Sequence, residues 1–187
     1  MPKINGQIQF PVAPIGTPII ASTTVSADVV STTETALATI SLPANTFSKP
    51  GDTVRVRLSG TITKSGFGPT HRLRVRYNGI SGTVLLDTAT ITSTGAVTSN
   101  YWETTIEITC RTIGATGTVL PQMCYKWLAT LADVLASGGA TNDDGSVAAV
   151  TVDTTVASSL VFSIEYSANT AGNSKIVSNG TAELIRA

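Results

Sequence analysis

Residues 52–79 read DTVRVRLSGTIT, KSGFGP and THRLRVRYNG, two alternating segments around one Gly/Pro turn. Val54, Val56, Leu58 and Ile62 fall on one face of the first segment, and Leu73, Val75 and Tyr77 on one face of the second. Arg55, Arg57, Arg72, Arg74 and Arg76 take the opposite faces. Successive side chains leave a pleated strand in opposite directions, so a period of two predicts strands with one side in a core. Paired through the turn, these strands would set arginine against arginine, which destabilises a sheet. Two arrangements relieve the conflict: the strands lie in different sheets, or acidic groups such as Glu103 and Glu107 interleave. An acidic partner surface is a third, since arginine suits interface ion pairs. A merely solvated exterior is the plain alternative.

The rest of the chain repeats this alternation. Strands are predicted over residues 24–30, at Ala36, Ala38, Ile40 and Leu42, and over 83–92, where Val84, Leu85 and Leu86 are too continuous to assign a face. Over residues 101–111, Trp102, Thr104, Ile106, Ile108 and Cys110 share a face opposite Glu103 and Glu107. Residues 119–128 carry Met123, Tyr125 and Trp127 on one side. Residues 146–156, 159–167 and 175–185 complete the set, with Leu160, Phe162, Ile164 and Tyr166 as a core face. Many short strands at even spacing predict an all-β fold, a β-sandwich of jelly-roll type. A weak helical pattern covers residues 128–136, and turn chemistry (SGGATNDDG) follows it.

With 187 residues, the chain suffices for one well-cored sandwich and is short for two domains. Charged residues are only 13% of it, against about 25% in ordinary domains. Thr and Ser replace them, and such a surface tolerates burial against other subunits. Equal numbers of basic and acidic residues, 12 each, give no global field toward nucleic acid or anionic membrane. The arginine segments also lack interleaved outward aromatics for base stacking. No apolar run approaches the roughly 20 residues of a spanning helix. Pro11, Pro14 and Pro18 interrupt the one candidate secretion signal. Those prolines, with Pro2, make residues 1–20 read as an extended arm ahead of a domain over 21–187. Ile4, Ile8, Phe10, Val12, Ile15, Ile19 and Ile20 are its apolar side chains, available to dock into a neighbour.

Catalytic and metal patterns are weak. His71 is the single histidine and reads as an exposed turn residue beside Pro69. Cys110, Cys124 and His71 lack a fourth ligand and any zinc spacing. A hairpin centred near Ala115 would set Cys110 opposite Leu120 or Pro121 and Cys124 opposite Ile106 or its neighbour, too far apart for a disulfide. Both cysteines are therefore expected to be free thiols, as in a reducing cytoplasm. Asn142, Asp143, Asp144 and Gly145 form turn chemistry without the EF-hand pattern. Glu103 and Glu107 are about 13 Å apart along a strand, wider than the about 5–9.5 Å of a glycosidase pair. No nucleophile elbow, P-loop or dinucleotide fingerprint occurs. No enzyme activity, cofactor or metal is expected.

Three stretches carry a resemblance: TTVSADVVSTTETALATISLPANTFSKPGDTVRVRLSGT, CRTIGATGTVLPQ and VDTTVASSLVFSIEYSANTAGNSKIVSNGTAELI. A strand ending at Leu-Pro-Ala-Asn, a Gly-Asp turn leading into an arginine-bearing strand, and Asp-Thr-Thr before the penultimate strand mark the pattern. Over most of residues 22–186 the chain resembles small jelly-roll virion structural proteins of tailed bacteriophages. These decorate or cement capsids, or build fibres and tail parts, commonly as trimers. The resemblance implies a virion component made in the host cytoplasm, a homotrimer meeting the major capsid protein or another virion protein. A capsid decoration or cement protein is the leading expectation. The alternative is a tail or head-fibre protein binding a host surface glycan, with Phe67, Tyr101 and Trp102 as candidate sugar-stacking aromatics.

Overall fold

A computed structural model describes residues 3–4, 7–8, 17–22, 31–64, 70–88, 90–91, 96–127, 148–168 and 174–187. Its elements are β1 (Lys3–Ile4), β2 (Gln7–Ile8), β3 (Thr17–Ser22), β4 (Thr35–Leu42), β5 (Thr53–Lys64) and β6 (His71–Tyr77). They continue with β7 (Thr83–Asp87), β8 (Val97–Thr112), β9 (Gly117–Trp127), β10 (Val150–Val152), β11 (Ser158–Tyr166) and β12 (Ser174–Ile185). β1 and β2 pair with each other; the rest form a six-stranded sheet, β10-β9-β8-β5-β12-β3, and a four-stranded sheet, β4-β11-β6-β7. Every pairing between named strands is antiparallel. The two sheets pack face to face as the expected β-sandwich. The core joins Val54, Val56, Ile62, Trp102, Ile106 and Ile108 of one sheet to Leu73, Val75, Leu160, Phe162 and Ile164 of the other.

β5 and β6 lie in different sheets, which removes the arginine conflict across their turn. Alternation holds where strands are regular and shifts at bulges, where an extra residue re-aims its neighbours. Leu37 is buried and Ala36 exposed because the β4 register slips opposite Phe162 and Ser163. A slip between Val75 and Arg76 on β6 lets Leu85 and Leu86 both turn inward while Val84 stays out. Cys110 faces Val119, one position from expectation, Cys124 faces Thr105, the neighbour of Ile106, as expected, and the two cysteines form no disulfide.

Residues 1–20 differ from an arm outside the sheet at their far end. β3 runs along β12 as an edge strand, with Pro18 opposite Glu183 beside a register shift. Proline cannot donate to a ladder, so an edge or a bulge is where a sheet accepts it. Residues 24–30 and 128–147 fall outside the described residues.

His71 corrects the reading of an exposed turn histidine. It is the first residue of β6, 1% exposed, and shares the inward face with Leu73, Val75 and Tyr77. Its ring lies 6.3 Å from that of Tyr125 and 6.2 Å from that of Tyr166. Trp102 corrects the loop-aromatic reading: it is fully buried, stacked at 5.8 Å on Phe162.

Candidate functional site

The five strand arginines occupy two outward faces. On the four-stranded sheet, Arg72, Arg74 and Arg76 alternate along β6 between β11 and β7. Arg74 Nη1 donates to Glu34 Oε2 at 2.8 Å and to Glu165 Oε2 at 2.6 Å, and its Nε to Asp87 Oδ2 at 3.2 Å. Arg76 grips both oxygens of Glu34, each at 2.6 Å, and donates to the Gly82 carbonyl at 2.9 Å. Arg72 pairs with Asp87 through two contacts. The Ser163 hydroxyl donates to Glu34 Oε1 at 2.6 Å. The three guanidiniums meet three carboxylates, and the face carries no net charge. Burial acts to raise the Glu34 pKa, but hydrogen bonds from Arg76 and Ser163 and the Arg74 and Arg76 charges outweigh it and hold the carboxyl below its usual range. The Arg74 side chain is only 10% exposed.

On the six-stranded sheet, Arg55 sits in register with Glu107 of β8 and Glu183 of β12 and pairs with both, at 2.7 and 3.1 Å. Glu107 is one of the two carboxylates expected to interleave. Arg57, one pleat further along, faces Thr105 and Thr181 instead. It is exposed and has no ion pair among the described residues. Arg57 therefore differs from the other four in what its register offers.

Arg57 borders a shallow groove of about 230 Å³, lined also by Ser59, Tyr101, Glu103, Asn179 and Thr181. Tyr101 is 47% exposed and its hydroxyl donates to Glu103 Oε2 at 3.2 Å. Its position follows from its neighbour in sequence: Trp102 points the other way, into the core, and its indole N–H donates to the Thr61 carbonyl at 3.2 Å. Burial and the Glu103 carboxylate push the Tyr101 phenol above its usual pKa against an opposing Ser59 hydrogen bond, so it remains a donor. Lys126 Nζ lies 4.0 Å from Glu103. Asn179 is exposed where β12 slips register against β5, between Val177 and Asn179. A second depression, lined by Glu107, Gln122, Met123 and Cys124, shares Thr105 with the groove and carries it toward β9.

Four of the seven apolar arm residues lie in described strands. Ile4 and Ile8 lie in the β1–β2 pair and Ile19 and Ile20 in β3. Phe10, Val12, Ile15 and Phe67 fall outside the described residues, as do residues 142–145. Among the described residues no group of three His, Cys, Asp or Glu side chains is placed to hold a metal. No described helix is long and apolar enough to cross a membrane. Sequence reasoning missed Glu34, Asp87, Glu165 and Asn179. Parity marks Glu165 as an outward residue, but Asp87 follows the continuous run Val84–Leu86, Glu34 precedes its strand and Asn179 follows a bulge, where parity gives no guide.

No family model matches the chain, and no curated protein matches it. Among solved structures, it is similar to the CBM2 module of Lactobacillus casei BL23 phage J-1 evolved Dit. Identity is 9% and the TM-score 0.36, over 80% of this chain and 69% of that one.

Proposed function

We propose that this chain is a non-catalytic structural protein of a tailed-phage virion, a capsid decoration or cement protein acting as a homotrimer. The sequence resemblance set out above motivates the reading. The observation that supports it best is the self-neutralised outer face of the four-stranded sheet. Burying an unpaired arginine costs several kcal/mol, on the order of 3–5 for a broken buried pair. Here each guanidinium already has its carboxylate inside the same chain. Such a face can be covered by a neighbouring subunit without stranding a charge. This changes the expected contact: Arg72, Arg74 and Arg76 shape and stiffen the face and do not seek an acidic shell. Symmetry then multiplies modest contacts through effective concentration.

Counting copies per purified particle by quantitative mass spectrometry tests the reading. Hundreds of copies, with a trimer by light scattering of the free protein, are expected. A handful of copies per particle would place the chain in a tail or fibre instead.

A further inference from the structure

The groove on the six-stranded sheet is on the sandwich face opposite the arginine network, and its chemistry is different. It combines one exposed aromatic ring, one guanidinium without a carboxylate partner among the described residues, one carboxylate, one amide and several hydroxyls. A dedicated anion site would exclude Glu103, and a cation site would exclude Arg57. A polyhydroxylated neutral ligand uses both. Each sugar hydroxyl can donate to a carboxylate and accept from a guanidinium or amide, while the apolar C–H side of a pyranose covers an aromatic ring.

The groove is also held in shape before any ligand arrives. Tyr101 is fixed by its hydrogen bond to Glu103 and by the buried Trp102 beside it. Arg57, Ser59, Tyr101 and Glu103 stand on β5 and β8, two adjoining inner strands of the sheet, not on loops. Rigid elements reduce the ordering cost of binding. Together with the depression at Gln122 and Cys124, the trough crosses four strands, β12-β5-β8-β9, about 14 Å at ordinary strand spacing.

We infer that Arg57, Ser59, Tyr101, Glu103 and Asn179 form a binding site for a neutral oligosaccharide, with Tyr101 as the stacking platform and Arg57 and Glu103 as the paired readers of adjacent hydroxyls. This site adds a surface-recognition function to a structural subunit, and it does not depend on where in a particle the subunit sits.

The test uses the full chain on a printed array of neutral hexose and N-acetylhexosamine oligosaccharides with uronate-containing glycans alongside, followed by titration calorimetry on the best binder. Binding to neutral glycans is expected, weakened about tenfold in Tyr101→Ala and in Arg57→Ala. Tyr101→Phe, which keeps the ring but loses the hydrogen bond to Glu103, should bind more weakly than the parent and more tightly than Tyr101→Ala. Melting curves of the three variants should match the parent, since all three changes lie on an exposed face. Absence of binding to every neutral glycan overturns the inference, as does binding that Tyr101→Ala and Arg57→Ala leave unchanged. Binding confined to uronates and strengthened by Glu103→Gln overturns it too, since the site would then read anions. If Tyr101→Ala dissociates the oligomer, the groove is a subunit contact and the inference fails. The copy-number count is unaffected by any of these results, so the two readings stand or fall separately.

Discussion

Arg74 and Glu34 lie forty positions apart in the chain and meet at 2.8 Å on the outer face of the four-stranded sheet. Glu34 precedes β4 and spans to Arg76 as well, so one carboxylate ties the approach to an edge strand to the inner strand β6. Glu34→Gln is expected to cost about 2 kcal/mol, because Arg74 keeps two other partners while Arg76 loses its only carboxylate among the described residues. Thermal unfolding should shift down by roughly 4–8 °C. The Glu34 pKa is lowered on folding, so its contribution is full above the ordinary value of 4.5 and fades as pH falls below it. A melting curve unchanged in Glu34→Gln would mean that the network adds nothing to stability.

Reversing Arg74 and Arg76 to Glu follows a related logic. Arg74 is nearly buried among three carboxylates, so Arg74→Glu sets four acidic groups together. The double reversal is expected to destabilise the domain outright, by more than the Glu34 change. Arg57→Glu, on the exposed sheet face, should leave stability within about 0.5 kcal/mol. Urea titration of both variants checks the contrast.

Asp52 is a second acid-sensitive group of the fold. It is fully buried and accepts from the Ser48 amide and hydroxyl at 2.8 Å each, from the amides of Lys49 and Ala187, and from Arg186. Burial alone would raise its pKa; the Ser48, Arg186 and Ala187 hydrogen bonds outweigh that and hold it far below the ordinary 3.8. The stabilisation is therefore complete above pH 3.8 and is lost progressively as pH falls below it. Asp52→Ala should cost about 3 kcal/mol at neutral pH and flatten the stability profile below pH 4. Stability against pH in urea, for parent and variant, gives the measurement.

Lys64 weakens the fold at neutral pH where Asp52 supports it. Its side chain is 1% exposed and its Nζ has no hydrogen-bond partner among the described residues. Burial lowers its pKa from 10.5, so in the window just below 10.5 the unfolded chain binds more protons than the folded one. Stability contributed by this site rises with pH through that window. Lys64→Met removes the buried charge at similar volume and is expected to raise the melting temperature by roughly 2–6 °C at neutral pH. A lowered melting temperature would show that the ammonium is solvated in solution.

Truncation separates the leading segment from the sheet. Deleting residues 1–16 leaves β3 intact and should leave the melting temperature unchanged. Deleting residues 1–22 strips β12 of its neighbour along Thr17–Ser22 and exposes a long unpaired edge. That variant is expected to melt lower and to aggregate on heating, as followed by light scattering. Equal behaviour of the two truncations would show that β3 adds nothing to the sheet.

Much of this architecture is legible in the period-two pattern. Val54, Val56, Leu58 and Ile62, the even positions of residues 102–110, and Leu160, Phe162, Ile164 and Tyr166 all reach the core as their spacing predicts. His71 obeys the same period, being two before Leu73, and only its neighbouring Pro69 suggested a turn. What parity cannot supply is the bulge, which reversed Ala36 and Leu37 and set Leu85 beside Leu86. Nor can it say which strands become neighbours. Arg55 and Arg57 look alike in VRVR, yet β8 and β12 bring carboxylates to one and threonines to the other. The candidate groove depends on that register and is invisible in the sequence, although Tyr101 itself was not.

The position of β5 has a consequence for how the chain reaches its native state. β5 lies between β8 and β12, and β4 is held by β11, so an early strand of each sheet waits for partners made last. Such distant pairings pay their loop-closure entropy before any contact rewards it. The domain is then expected to fold only after synthesis of residues 174–185 is complete, in one slow cooperative step with no stable amino-terminal half. Nascent chains halted before β12 should remain protease-sensitive throughout, and subunits would enter any assembly only after β12 has been made.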